Sequence, residues 1–123
     1  MSFSQPAVML PHARAGRIKV LGVTSLKPLH SWPDARPVAE AGLPGFEASS
    51  WQGVLVPART PKPIIGRLHR EIVKALHAPE VERRLLAEGS EIGGGSPEAF
   101  AAYIRNEIAK WTRVVKEAGI KVE

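Results

Sequence analysis

Cysteine is absent from these 123 residues. That removes disulfides, thiolate metal sites and a cysteine nucleophile. No apolar run approaches the ~20 residues that a helix needs to span a bilayer. Met1 is not followed by a basic segment and then an apolar one, so no secretion signal is visible and the chain as written is expected in the cytoplasm. The usual catalytic and cofactor arrangements are missing too. His12, His30, His69 and His77 form no His-x-x-x-His pair, and His69 and His77 lie about two helical turns apart. Ser25, Ser49 and Ser50 lack the Gly-x-Ser-x-Gly elbow. Gly93-Gly94-Gly95 has neither the Lys-Ser/Thr of a phosphate loop nor the spacing of a dinucleotide fingerprint, and reads as a flexible turn. No acidic pair is spaced for general acid–base work. The residues point to no enzyme, no metal and no cofactor.

What is present is one domain's length of chain, with 44% hydrophobic and 24% charged residues, a balance that fits a folded protein and not a disordered one. The formal charge of +5 raises nucleic acid as a partner. Its distribution argues against one. Arg14, Arg17, Lys19 and Lys27 are scattered, while Arg67, Arg70, Lys74, Arg83 and Arg84 interleave with Glu71, Glu80 and Glu82 as on a solvated helix face.

The stretch Ser49 to Pro61 divides two unlike halves. Before it the chain is rich in proline and glycine. A short helix falls within Ser2–Ala15, disturbed by Pro11 and stopped by Gly16. Ile18–Thr24 is a strand candidate, Leu26–Arg36 a loop, and Pro37–Ala41 one helical turn closed by Gly42. Val54-Leu55-Val56, bounded by Pro57, reads as a buried strand, and Gly53 marks a bulge or a close approach of another backbone. After the divide the chain is helical. Thr60 caps and Pro61 opens a helix over 61–77, with Ile64, Ile65, Leu68, Ile72, Val73 and Leu76 as its stripe. Pro79 opens a second helix that Gly89 stops. Ser96-Pro97-Glu98 opens the longest, about 97–118, with Phe100, Ile104, Ile108, Trp111 and Val115 on one face, so Trp111 is expected to be buried. Ile120-Lys121-Val122 suggests a short edge strand.

An ordered series of motifs carries the reading further. It runs through Gly16-Arg-Ile-Lys-Val-Leu-Gly-Val-Thr-Ser25, Pro33-Asp34, Pro37-Val38-Ala39-Glu40-Ala41-Gly42 and Pro44-Gly45-Phe46-Glu47. Trp51-x-Gly53, Pro57-x-x-Thr60-Pro61, Pro79-Glu80-Val81, Gly89, Pro97-Glu98-x-Phe100 and Lys110-Trp111 complete it. In this the chain resembles, from about Ser4 onward, the C-terminal part of the Bug-type periplasmic receptors of tripartite tricarboxylate transporters. Arg59 departs from the pattern, which usually has glycine before Thr-Pro, and puts the tightness of that turn in question.

The resemblance implies an α/β chain forming part of a two-lobed, type II periplasmic-binding-protein fold. Residues 1–49 would end the second lobe, 50–57 would be the strand crossing the hinge at Gly53, and 58–123 would be the C-terminal helices of the first lobe. It implies a receptor that binds a small carboxylate, performs no chemistry and passes its solute to a membrane permease. The location would be periplasmic when the chain is part of a full-length receptor. Thr24 and Ser25 at a strand end, with Trp51 and Gln52 entering the hinge, are the candidate ligand-binding residues, since hydroxyls and N–H groups offer a carboxylate donors. The alternative is a stand-alone remnant, self-associating as a homo-oligomer or acting through interactions, without solute.

Overall fold

A computed structural model describes residues 1–120 of the chain. The helical part follows the sequence closely, because proline and glycine mark its ends. α1 (Pro6–Arg14) is a short helix that tolerates Pro11 within it. α2 (Lys62–Leu76), α3 (Pro79–Ala87) and α4 (Pro97–Glu117) follow, and a 3₁₀ turn covers Val38–Glu40. Ser96 caps α4 by accepting a hydrogen bond from Ala99 N–H at 3.1 Å. α3 ends in a Schellman turn: Gly89 takes φ +82°, Gly89 N–H donates to Leu86 O, and Ser90 N–H donates to Leu85 O.

The start of α2 is shifted by one residue. Pro61, not Thr60, stands at the N-cap, and no side chain caps the helix. Pro63 fills the second helical position, where its missing N–H costs nothing, and Thr60 N–H is already turned back to Pro57 O at 2.9 Å. Arg59 fits this turn without glycine's freedom, since no described non-glycine residue has positive φ.

The strand expectations are not met as ladders. Val54–Val56 is not helical, but it pairs with nothing among the described residues, and its three side chains are exposed. Ile18–Thr24 contributes one isolated parallel bridge, Val23 with Pro37. There Val23 N–H donates to Arg36 O at 3.1 Å, and Val38 N–H donates to Val23 O at 2.9 Å. The physical reason is that a strand, unlike a helix, cannot satisfy its own main chain and needs neighbours. The proposed edge strand at 120–122 lies largely outside the described residues.

The packing is thin. The chain exposes 10135 Å², whereas a folded monomer of 13.3 kDa exposes about 6,500 Å². Among the described residues Leu10, Val23 and Pro37 are the buried apolar side chains. Leu10 and Pro6 press α1 onto the end of α3: a Cβ on Gly89 would stand 2.6 Å from Pro6 Cβ and 2.8 Å from Leu10 Cδ1. The stripe of α2 is half covered, with Ile64 and Leu68 exposed. His69 Nε2 lies 3.0 Å from Gly95 O, and Val73 packs on Gly94, so the triple-glycine turn is held against α2.

Candidate functional site

The segment around Trp51 and Gly53 lies on α4. Trp51 meets the rings of Phe100 and Tyr103 edge to face, each at 5.6 Å between centroids and at 82° and 85° between planes. Residues 100 and 103 are one turn apart on the same face of α4, so the indole fits against both. Gly53 then passes under Phe100, whose ring occupies the space a Cβ would need. The close approach read from this glycine is thus to an aromatic side chain and not to a backbone.

One turn further along the same face is Glu107, a residue the sequence reading did not single out. It is the one charged side chain that is buried among the described residues, at 7% exposure. Its Oε2 accepts from Trp111 Nε1–H at 2.9 Å, and its Oε1 pairs with Lys110. Lys110 also reaches Glu47 at 3.6 Å and lies 5.5 Å from the Trp111 ring centroid. The hydrogen bond from Lys110, followed by that from the Trp111 indole, holds the Glu107 carboxyl below its ordinary range. Glu107 in turn raises the Lys110 ammonium, with Glu47 adding to it. Burial, then the charges of Glu107 and Glu47, push the Tyr103 phenol up. The signal was legible as the triple Glu107, Lys110, Trp111, at positions i, i+3 and i+4. Trp111 is consequently not a core residue: it is 43% exposed and Ile108 is 62% exposed. The face of α4 that docks within the chain is rotated from the expected one.

The four candidate ligand residues do not form one cluster of free donors. Thr24 Oγ1 donates to Ala48 O at 2.6 Å, and Ala48 N–H donates back to Thr24 O at 3.0 Å. That pairing brings the end of Ile18–Thr24 beside the residues that lead to Trp51. Ser25 Oγ donates to Lys27 O at 2.7 Å. Both hydroxyl protons are therefore committed to main-chain carbonyls, and what remains on each oxygen is acceptor capacity. Trp51 is engaged with α4, while Gln52 is exposed. Lys110 has its charge matched by two carboxylates. Among the described residues no three His, Cys, Asp or Glu gather as for a metal, and no helix is long and apolar enough to cross a membrane.

The fold is that of part of a periplasmic binding protein. The structure of the periplasmic binding protein BugD superposes with a TM-score of 0.77 at 30% identity, covering 94% of this chain and 39% of that one. The structure of R. palustris Rpa4515 with adipate superposes at 0.75 and 35% identity, covering 92% of this chain and 38% of that one. The model of the tripartite tricarboxylate transporter family receptor matches residues 1–120, and the chain belongs to this family. BugT of Bordetella pertussis is 34% identical over 120 residues, 98% of this chain and 36% of that protein. The UPF0065 protein in the tcbD-tcbE intergenic region of Pseudomonas sp. (strain P51) is 41% identical over 104 residues, 84% of this chain and 31% of that protein. The chain thus spans about a third of the length of these relatives.

Proposed function

We propose that these residues are part of an extracytoplasmic solute receptor that binds a small carboxylate and delivers it to the permease of a tripartite tricarboxylate transporter. The likeness to R. palustris Rpa4515, whose structure is that with adipate, carries this reading, at 35% identity over 92% of the chain. Adipate is a dicarboxylate, and the reading extends to that chemical class. Residues 1–49 belong to one lobe and 58–123 to the other, with 50–57 crossing between them. Thr24 supports the crossing by its pair of bonds to Ala48. Gly53 lets the segment lie against Phe100. In a complete receptor Thr24, Ser25, Trp51 and Gln52 line the solute side of this crossing.

The test is a chimera in which this chain replaces the matching part of Rpa4515, studied by calorimetry. Adipate and related dicarboxylates bind, nucleotides do not, and Thr24→Ala or Trp51→Ala weakens binding by about tenfold or more, a difference of ~1.4 kcal/mol. A folded chimera that ignores every carboxylate offered and is stabilised by nucleotides would overturn the reading.

A further inference from the structure

Three contacts converge on residues 47–51. Glu47 reaches Lys110 at 3.6 Å. Ala48 exchanges a pair of bonds with Thr24. Trp51 stands edge to face against Phe100 and Tyr103. Phe100, Tyr103, Glu107 and Lys110 recur at steps of three and four residues, so they share one face of α4. The contacts with α4 come in reverse order along the helix, and the stretch therefore runs antiparallel to it. The lengths agree. Four residue steps reach at most about 13–14 Å. The helix rises about 13 Å from between Phe100 and Tyr103 to Lys110.

Lys110 is the residue that a carboxylate receptor would first offer its solute. Its surroundings argue otherwise. The ammonium pairs with Glu107 as well as with Glu47, and its side chain is 28% exposed. Glu107 is buried and is itself fixed by the indole N–H of Trp111. Two carboxylates around one ammonium make a net negative cluster, which repels an anion. What the cluster does is aim the ammonium at Glu47. We infer that Lys110 is a positioning residue: through Glu47 it fixes residues 47–52 on α4 and so sets where Thr24, Trp51 and Gln52 stand for the solute, a role that rests on the proposed reading of those three as ligand residues. The steps are short. Gln52 follows Trp51, whose ring is bounded by α4. Thr24 is bonded to Ala48, the neighbour of Glu47. Releasing Glu47 frees one end of the stretch and moves both.

Two readouts test it. In the chain alone, the three tryptophans give three indole N–H signals in a proton–nitrogen correlation spectrum. Glu47→Ala and Lys110→Met both shift that of Trp51 and leave that of Trp32 in place, with helical circular dichroism retained. Lys110→Arg, which keeps the charge, keeps the Trp51 signal near its place. In the chimera with Rpa4515, Glu47→Ala and Lys110→Met each weaken adipate binding by roughly three- to tenfold, and the double variant is no weaker than either single one. Lys116→Met takes the same charge from an exposed position further along α4 and changes neither readout. A Trp51 signal unmoved by both variants overturns the inference. So does a dicarboxylate affinity that ignores both. So does a loss from Lys110→Met that far exceeds that from Glu47→Ala and adds to it, which would make Lys110 a direct ligand. A chimera that binds no dicarboxylate overturns the reading of the solute site instead, and the Trp51 signal in the chain alone still decides whether Lys110 positions the stretch.

Discussion

Residues 1–49 hold one short helix, yet Leu10, Val23 and Pro37, the buried apolar side chains, all lie there. Residues 58–120 hold three helices, and the buried side chain among them is a carboxylate, Glu107. Regular secondary structure and burial have separated. A helix satisfies its own main chain, so caps and propensity suffice to mark it out. Burial needs a second surface. The loop-rich region has found one, in the end of α3 at Gly89 and in the main-chain bonds that close Val23 on Pro37. The helical region keeps its stripes half exposed.

The largest effect is expected where the two regions meet. Leu10 is 3% exposed, and Leu10→Ala should cost ~3 kcal/mol, enough to abolish cooperative unfolding in a small domain. A loss below ~1 kcal/mol in a urea titration at fixed protein concentration would show that α1 is not docked.

Two glycines sharpen the same point. Gly89 and Gly119 both stop helices with positive φ, +82° and +65°, but Gly119 has open space where a Cβ would stand and Gly89 has Pro6 and Leu10. Replacing either by Ala strains the left-handed turn by roughly 1–2 kcal/mol. Gly89→Ala should add ~1–2 kcal/mol of overpacking to that. Equal losses at the two sites would remove α1 from the end of α3.

The helices were legible because their punctuation is local: Pro79 and Pro97 at first positions, Ser96 as a cap, Gly89 and Gly119 as stops. Val54–Val56 and Ile18–Thr24 were legible as strand sequence, but pairing is a property of neighbours that this stretch of chain does not supply. The phase of α4 was misread for a related reason. The helix carries two apolar faces, and the choice between them is made by Trp51, distant in sequence, which docks on Phe100 and Tyr103. A single stripe drawn through Ile108 and Trp111 could not anticipate that Glu107 would be the buried neighbour. Of the candidate ligand residues, Thr24 is bonded to Ala48 and Trp51 is docked on α4. The commitment of the Thr24 and Ser25 hydroxyls to carbonyls depends on main-chain geometry that residue types do not encode.

The polar contact within the helical half gives a pH signature. The Glu107 carboxyl is held low, chiefly by its bond to Lys110. Its contribution is therefore full above the ordinary glutamate value of ~4.3 and is lost as pH falls through the lower, folded value. The Lys110 ammonium is held high by the same bond. Its contribution is full below ~10.4 and is lost as pH rises through the raised value. Urea midpoints should thus be flat in the middle of the range and fall at both ends. In Glu107→Gln both falls should shrink, the acid one because the carboxyl is gone and the alkaline one to what Glu47 alone still sustains. An unchanged acid limb would mean that Glu107 is solvated.

The smallest effect concerns the stretch that divides the halves. Leu55 is 75% exposed, between Val54 at 64% and Val56 at 37%. Leu55→Ala in this chain should change stability by less than ~0.5 kcal/mol, as for an ordinary surface position. The same substitution in a chimera with the rest of a family receptor should cost ~2–4 kcal/mol, because a strand with neighbours on both sides buries this side chain and truncation leaves a cavity. The contrast separates sequence from context: the residue, its propensity and its local backbone are the same in both proteins, and only the covering surface differs. Equal and small losses in both would show that 54–56 remains an exposed connection even in a complete receptor. A large loss in this chain alone would show that some surface already covers the segment, and the exposed dividing stretch would have to be redrawn as part of a core.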